Sequence, residues 1–169
     1  MSSKKVLIGV AWPYVNAPFH LGNLYGSFLP ADFFARFHKM KGHDVVSVSG
    51  SDCHGTPITL KAEEEGVTPE AIANKYHDID VSILEKLQIE MSLFTKTATA
   101  NHKEVVQEMF LQLLERECIT KKVTKQLYSE SLGKFAQDRY IEGECPHCHS
   151  DRARGDQCDS CGKVLDALD

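Results

Sequence analysis

The stretch from Trp12 to Asn23 constrains what this chain can fold into more than any other. It reads Trp-Pro-Tyr-Val-Asn-Ala-Pro-Phe-His-Leu-Gly-Asn. A near-continuous apolar run, Val6 to Ala11, leads into it and predicts a strand buried on both faces, as in a parallel α/β sheet. After it, Leu24, Phe28, Ala31 and Ala35 recur at helical spacing, less regularly joined by Phe33, Phe37 and Met40. Gly42 is placed to stop that helix. Between strand and helix, Pro13 and Pro18 fix φ and exclude helix. The order is therefore strand, sharp turn, helix. His20 and Asn23 fall at or just inside the first helical turn, where backbone N–H groups lack intrahelical partners and the helix dipole is positive, so an anion such as phosphate is favoured. Gly22 has no side chain, which lets a ligand approach the backbone. A lone histidine at a helix start is more often a cap or a surface residue, so the surroundings must decide its role.

A second β-branched run, Asp44 to Gly50, completes a strand–helix–strand unit. Ligands of such sheets lie at the carboxyl ends of the strands, where both the Trp12–Asn23 turn and the loop Gly50–Gly55 fall. In the second loop Asp52 carries two readings. It caps a helix beginning near Thr56-Pro57, or it pairs with a charged group of a ligand. His54 beside it orients the loop.

Thr68-Pro69-Glu70 starts a helix with a cap, a proline and an acid in the first turn. Ile72, Tyr76, Ile79, Ile83 and Leu87 form its apolar stripe to about Gln88, read as core. Asn101 opens another helix, with Val105, Met109, Leu113 and Cys118 on the apolar side. Cys53 and Cys118 read as ordinary buried or partly buried thiols. After Ile119 the helical period ends. Short segments follow, Lys125–Tyr128 and Arg139–Ile141, and predict small antiparallel strands. The expected division is a Rossmann-like α/β domain over residues 1–118 and an appendage over 119–169.

Cys145-Pro-His-Cys148 and Cys158-Asp-Ser-Cys161 are two Cys-x-x-Cys pairs, each able to turn both sulfurs toward one ion. Four thiolates suit structural, tetrahedral Zn2+ and leave no open position for catalysis. His147 and His149 are bystanders to a shell already complete. A redox dithiol accounts naturally for one such pair, not for two.

The length of 169 residues suffices for one core with a small appendage, and the net charge of −5 argues against generalised nucleic-acid binding. Lys121, Lys122, Lys125, Lys134 and Arg139 leave room for a local basic patch. No apolar stretch approaches the ~20 residues of a membrane span, and the amino terminus lacks a signal-peptide apolar region. The expectation is a cytoplasmic protein without membrane association.

His20-Leu21-Gly22-Asn23 resembles the His-Ile-Gly-His signature of class I aminoacyl-tRNA synthetases, with Asn in the last place. Ala11-Trp12-Pro13-Tyr14-Val15-Asn16 and the spacing of the four cysteines are similar to the methionyl-tRNA synthetases within that class. The resemblance runs the length of the chain. It implies a ligase that activates methionine with ATP, supplied with Mg2+, to methionyl-adenylate and then charges tRNA(Met). His20 and Asn23 would be catalytic, and with Gly22 would bind ATP. Asp52 would receive the amino group of methionine, and Trp12 and Tyr14 would line its pocket. The family's Lys-Met-Ser-Lys-Ser loop is absent from this sequence, and the last residue falls inside the family's zinc-bearing connective insertion. The chain is therefore expected to be a fragment, a split half served by a second polypeptide, or a truncated paralogue, inactive or nearly so alone. Two other readings remain open: a small nucleotidyltransferase of the same superfamily, and a non-catalytic zinc-ribbon module that binds nucleic acid.

Overall fold

A computed structural model describes residues 3–131, 133–136, 141–166 and 168. The chain divides into two compact units, Met1–Arg116 and Glu117–Asp169.

The first unit is built on a three-stranded parallel sheet in the order β1 (Lys5–Gly9), β2 (Asp44–Ser51), β3 (Leu93–Lys96). The register pairs Val6 with Val45, Leu7 with Val46 and Val48 with Leu93. The two faces of β1 differ, because successive side chains of a strand point to opposite sides. Ile8, with Val10 just beyond the strand, packs into an apolar cluster with Phe19, Phe28, Leu84 and Ile89. Leu7 on the other face is 74% exposed, and its register partner Val46 is exposed too. The expected burial of this strand on both faces is thus met on one face only.

The helical run after the turn has three parts: α1 (Leu21–Asn23), a wider π turn (Leu24–Phe28) and α2 (Leu29–Met40). Regular periodicity from Leu24 does not foresee the π turn. Pro30 explains it: proline has no N–H to give the carbonyl four residues back, and its ring crowds that carbonyl. The wide turn just ahead, closed by Leu29 N–H on the Leu24 carbonyl, absorbs the mismatch. The run ends at Gly42, where φ is +76°. Gly42 N–H donates to the Lys39 carbonyl at 2.9 Å and His43 N–H to the His38 carbonyl at 3.1 Å, the paired bonds of a glycine-terminated helix. Phe28 and Ala35 are buried, but Phe33, Phe37 and Met40 are exposed.

Helices α3 (Thr56–Glu65) and α4 (Pro69–Lys86) connect β2 to β3, and α5 (Ala100–Glu115) follows. The Thr68 hydroxyl accepts from Ala71 N–H and caps α4. Its buried residues are Ile72, Ala73, Tyr76, Asp80 and Leu84. The stripe therefore runs 72, 76, 80, 84, and Ile79 and Leu87 of the expected stripe are exposed. Helix α5 is capped by Thr99, one residue outside its first turn, and buries none of its residues. Val105, Met109 and Leu113 are exposed, and Cys118 is exposed rather than buried.

The second unit contains two antiparallel pairs, β4 (Tyr128–Ser129) with β5 (Lys134–Phe135), and β6 (Glu142–Gly143) with β7 (Ala153–Arg154). Of the expected strand Arg139–Ile141, Arg139 and Tyr140 lie outside the described residues, and Ile141 is half-buried and not in a strand. Among the described residues no helix is long and apolar enough to cross a membrane.

Candidate nucleotide site and four-sulfur centre

Backbone hydrogen bonds stitch together the loops that leave the three parallel strands. Val10 N–H donates to the Val48 carbonyl at 3.0 Å. Asp52 N–H then donates to the Pro13 carbonyl at 2.9 Å, and Val15 N–H to the Asp52 carbonyl at 3.2 Å, a parallel bridge between Tyr14 and Asp52. Thr97 N–H donates to the Ser51 carbonyl at 3.0 Å, and the Thr97 hydroxyl accepts from Cys53 N–H at 2.8 Å. The sheet therefore continues past its strands into the loops that carry Trp12, Tyr14 and Asp52.

Both aromatic residues lie over glycines. A Cβ on Gly50 would come within 2.6 Å of the Trp12 ring and 2.5 Å of the Thr95 carbonyl. One on Gly55, where φ is +125°, would come within 3.1 Å of the Tyr14 ring. The Trp12 ring also stands 6.5 Å from the His102 ring, centroid to centroid, and remains 37% exposed, available to a ligand. Asp52 does not cap α3; the cap position is Gly55 and has no side-chain bond. Instead Asp52 Oδ1 accepts from His54 N–H at 3.3 Å, closing a local turn and leaving the carboxylate half-buried. His54 itself is exposed.

The turn from His20 to Asn23 is locked from both sides. His20 is the N-cap of α1, and its Nδ1 accepts from Asn23 N–H at 3.2 Å. Asn23 Oδ1 accepts in return from His20 N–H at 3.2 Å. This reciprocal pattern satisfies two orphan amides at once. It also fixes the chemistry of what is left over. With Nδ1 acting as acceptor, the hydrogen of the neutral ring sits on Nε2. With Oδ1 occupied, Asn23 has its Nδ2 hydrogens to offer. Both side chains offer hydrogen-bond donors, His20 exposed and Asn23 half-buried, as an anion requires. The role of Gly22 is also clear: a Cβ there would stand 2.8 Å from His20 Cε1 and 2.9 Å from Nδ1. The imidazole can fold back over the turn because Gly22 leaves it room.

In the second unit the Sγ atoms of Cys145, Cys148, Cys158 and Cys161 all lie within 4.8 Å of one another. Cys145 and Cys161 are 3.9 Å apart and Cys148 and Cys158 are 3.7 Å apart, far beyond a disulfide bond. The two knuckles are built alike. Cys145 Sγ accepts from His147 N–H, and Cys158 Sγ from Ser160 N–H, both at 3.4 Å. The residue after each second cysteine, His149 or Gly162, takes a positive φ of 57° or 70°. The His149 ring turns away to Glu144 at 2.8 Å, and His147 is exposed. The Cys161 amide, opposed by burial and helped by the Ser160 amide, brings the Cys158 thiol from 9.0 down to about 7. The Ser150 amide pulls Cys148 the same way, but burial and the three neighbouring sulfurs push it up to about 12. Four sulfurs this close cannot all ionise by themselves, and a cation removes the conflict. The cluster can hold a metal ion.

One residue of the site escapes the sequence reading. Asp80 on α4 is fully buried, and its Oδ1 accepts from Phe19 N–H at 2.8 Å, next to the His20 cap. The available signal was its i, i+4 spacing from Tyr76 and Leu84, an acid in line with an apolar stripe.

Comparison with known proteins agrees with this geometry. The family described as tRNA synthetases class I (M) matches residues 6–169. A methionine–tRNA ligase of Roseiflexus castenholzii is 52% identical over 164 residues, covering 97% of this chain and 28% of that protein. One of Dehalococcoides mccartyi is 50% identical over 167 residues, covering 99% of this chain and 30% of that protein. The chain thus spans under a third of the length of these relatives. Among solved structures, a Mycobacterium tuberculosis methionyl-tRNA synthetase in complex with methionyl-adenylate is similar with a TM-score of 0.65 and 29% identity, over 68% of this chain and 22% of that one. With its parallel sheet, its His-Leu-Gly-Asn cap and a profile match over nearly its whole length, the chain belongs to the class I (M) tRNA synthetase family.

Proposed function

We propose that this chain is the amino-terminal part of a methionine–tRNA ligase and carries the ATP-phosphate and methionine contacts of its activation step. In that step a methionine carboxylate oxygen attacks the α-phosphorus of ATP. The bond from that phosphorus to the bridging oxygen breaks, giving methionyl-adenylate and pyrophosphate. Little proton transfer is needed; positioning and charge stabilisation do most of the work.

The observation that carries the reading is the reciprocal His20–Asn23 cap. It orders two donors, His20 Nε2–H and Asn23 Nδ2–H, beside a glycine, in the loop that the Tyr14–Asp52 bridge ties to the sheet. These donors meet negative charge that builds on the phosphates. The Asp52 carboxylate pairs with the α-ammonium of methionine. Trp12 and Tyr14 line the side-chain pocket, and the Tyr14 hydroxyl contacts the thioether. An apolar pocket alone discriminates by only ~1–3 kcal/mol per methylene, so a polar contact to sulfur adds selectivity. ATP enters with Mg2+, and the completed enzyme charges tRNA(Met) in the cytoplasm.

The four-sulfur centre is a structural zinc site. Sulfurs about 2.3 Å from a tetrahedral Zn2+ stand about 3.8 Å apart, which the 3.9 and 3.7 Å separations match. A second segment or polypeptide supplies the rest of the catalytic site. Leu7 of β1 and Phe33, Phe37 and Met40 of α2 offer it exposed apolar surface. Methionine-dependent ATP–pyrophosphate exchange, run with the remaining part of the enzyme, tests the reading; exchange driven equally by another amino acid would overturn it.

A further inference from the structure

We infer that Asp80 is the positioning residue of the His20–Asn23 turn: its buried carboxylate on α4 holds the Phe19 amide, and through it the cap that aims the two phosphate donors. The inference rests on the phosphate role proposed for that turn.

The loop between β1 and α1 is pinned at two points. Val15 belongs to one core cluster, with Ile58, Ile72 and Tyr76. Phe19 belongs to the other, with Val10, Phe28, Leu84 and Ile89. Asp80 sits one helical turn from Tyr76 on one side and from Leu84 on the other, at the join of the two clusters. There its Oδ1 takes the Phe19 N–H at 2.8 Å, across 61 positions of sequence. The Phe19 ring is held as well, 4.7 Å from Phe28 and edge-on to Phe94. Main chain and side chain of the residue before His20 are thus both fixed, and the cap inherits that placement.

A core position filled for packing alone would not be an acid. Asp80 is 0% exposed, and its Oδ2 has no hydrogen-bond partner. Half of the carboxylate's acceptor capacity is spent on nothing, an unfavourable arrangement in an apolar surrounding. What it gains is a charged acceptor, which holds an amide more firmly than a neutral one.

The same arrangement makes the hold sensitive to acid. Burial raises the Asp80 carboxyl from 3.8 to about 6, against the pull of the Phe19 amide. No charged group is among the causes of that shift. The titratable groups nearest along the chain are exposed Asp78, half-buried His77 and, one turn back, buried Tyr76; His20 stands next to Phe19. His77 bonds the Ser51 hydroxyl at 2.8 Å and stacks on Phe94 of β3. Protonating Asp80 replaces a charged acceptor by a neutral one at Phe19.

The test is proton–nitrogen correlation NMR of the labelled 169-residue chain as pH is varied. The Phe19 amide is expected to titrate with a midpoint near 6, and the His20 and Asn23 amides to follow with the same midpoint. Asp80→Asn keeps a neutral acceptor. It should leave the turn folded and remove that midpoint from all three amides. Asp80→Leu should shift all three away from their wild-type positions at neutral pH. If Asp80→Leu fails to fold, the Asn variant decides by whether the shared midpoint disappears. A Phe19 midpoint with flat His20 and Asn23 amides, or a shared midpoint that survives in Asp80→Asn, would overturn the inference. Pyrophosphate-exchange assays of the full-length enzyme separate the two ideas. A shared midpoint together with His20→Ala leaving exchange unchanged would sink the phosphate reading and keep the positioning.

Discussion

His20 and Asn23 cap each other: the imidazole Nδ1 takes the Asn23 amide, and the Asn23 Oδ1 takes the His20 amide, both at 3.2 Å. Gly22 between them makes this possible, because a Cβ would stand 2.8 Å from the ring. Gly22→Ala should therefore swing the imidazole away while the helix stays. Alanine favours helix over glycine by roughly 0.5–1 kcal/mol, and a lost cap costs about 1 kcal/mol, so stability should change little. Loss of a transition-state donor costs ~10²–10³ in rate. Urea melts and pyrophosphate exchange of the full-length enzyme should show that split; a variant that is unstable and fully active would contradict it.

Elemental analysis should find one zinc per chain. Cys148→Ser should lose it, since three sulfurs leave the tetrahedral shell open. A metal that holds the knuckles rather than a substrate supports the fold, so its removal by a chelator should unfold the second unit, seen as lost dispersion for residues of β6 and β7. A metal content unchanged in Cys148→Ser would refute the assignment.

Asp52→Ala should weaken methionine binding to the full-length enzyme by about 2–5 kcal/mol, the usual cost of removing one partner of a buried charge pair. Because Asp52 is not the cap of α3, the fold should survive. Calorimetry with methionine and its des-amino analogue checks this. Only methionine should lose affinity, and equal losses for both ligands would speak for general damage to the loop.

For Asp80 the sign of the pH effect follows from its raised carboxyl, 3.8 unfolded and about 6 folded. Between those values the folded chain binds more protons than the unfolded one. The residue's contribution to stability is therefore greatest in acid and falls as pH rises through that window. Urea midpoints of wild type and Asp80→Asn should diverge in favour of the Asn variant as pH rises from 3.8 to about 6, and the gap should stay constant above that. A difference independent of pH would contradict the assignment.

Asp80 also shows where the sequence stops being legible. The strand–turn–helix start and the two Cys-x-x-Cys pairs are visible in the chain because each depends on local chemistry: apolar period, proline, glycine and ligand spacing. The π turn is less visible, since only the placement of Pro30 hints at it. The stripe of α4 is misread by one position because an apolar Ile79 looks more like core than Asp80 does. Burial of Asp80 follows from a bond to Phe19, and nothing local to α4 announces that partner. The exposure of Leu7, Phe33 and Met40 was equally hidden, since apolar residues read as core whether or not this chain supplies the surface that covers them.

The most direct test of the account is ATP–pyrophosphate exchange by the 169-residue chain, alone and with the remaining catalytic part supplied in trans. The account predicts little or no exchange alone, because His20 and Asn23 meet only part of the charge that develops on the phosphates. It predicts a gain of orders of magnitude on complementation, specific for methionine and abolished by His20→Ala. Robust exchange by the isolated chain, or a complemented His20→Ala chain as active as wild type, would contradict it.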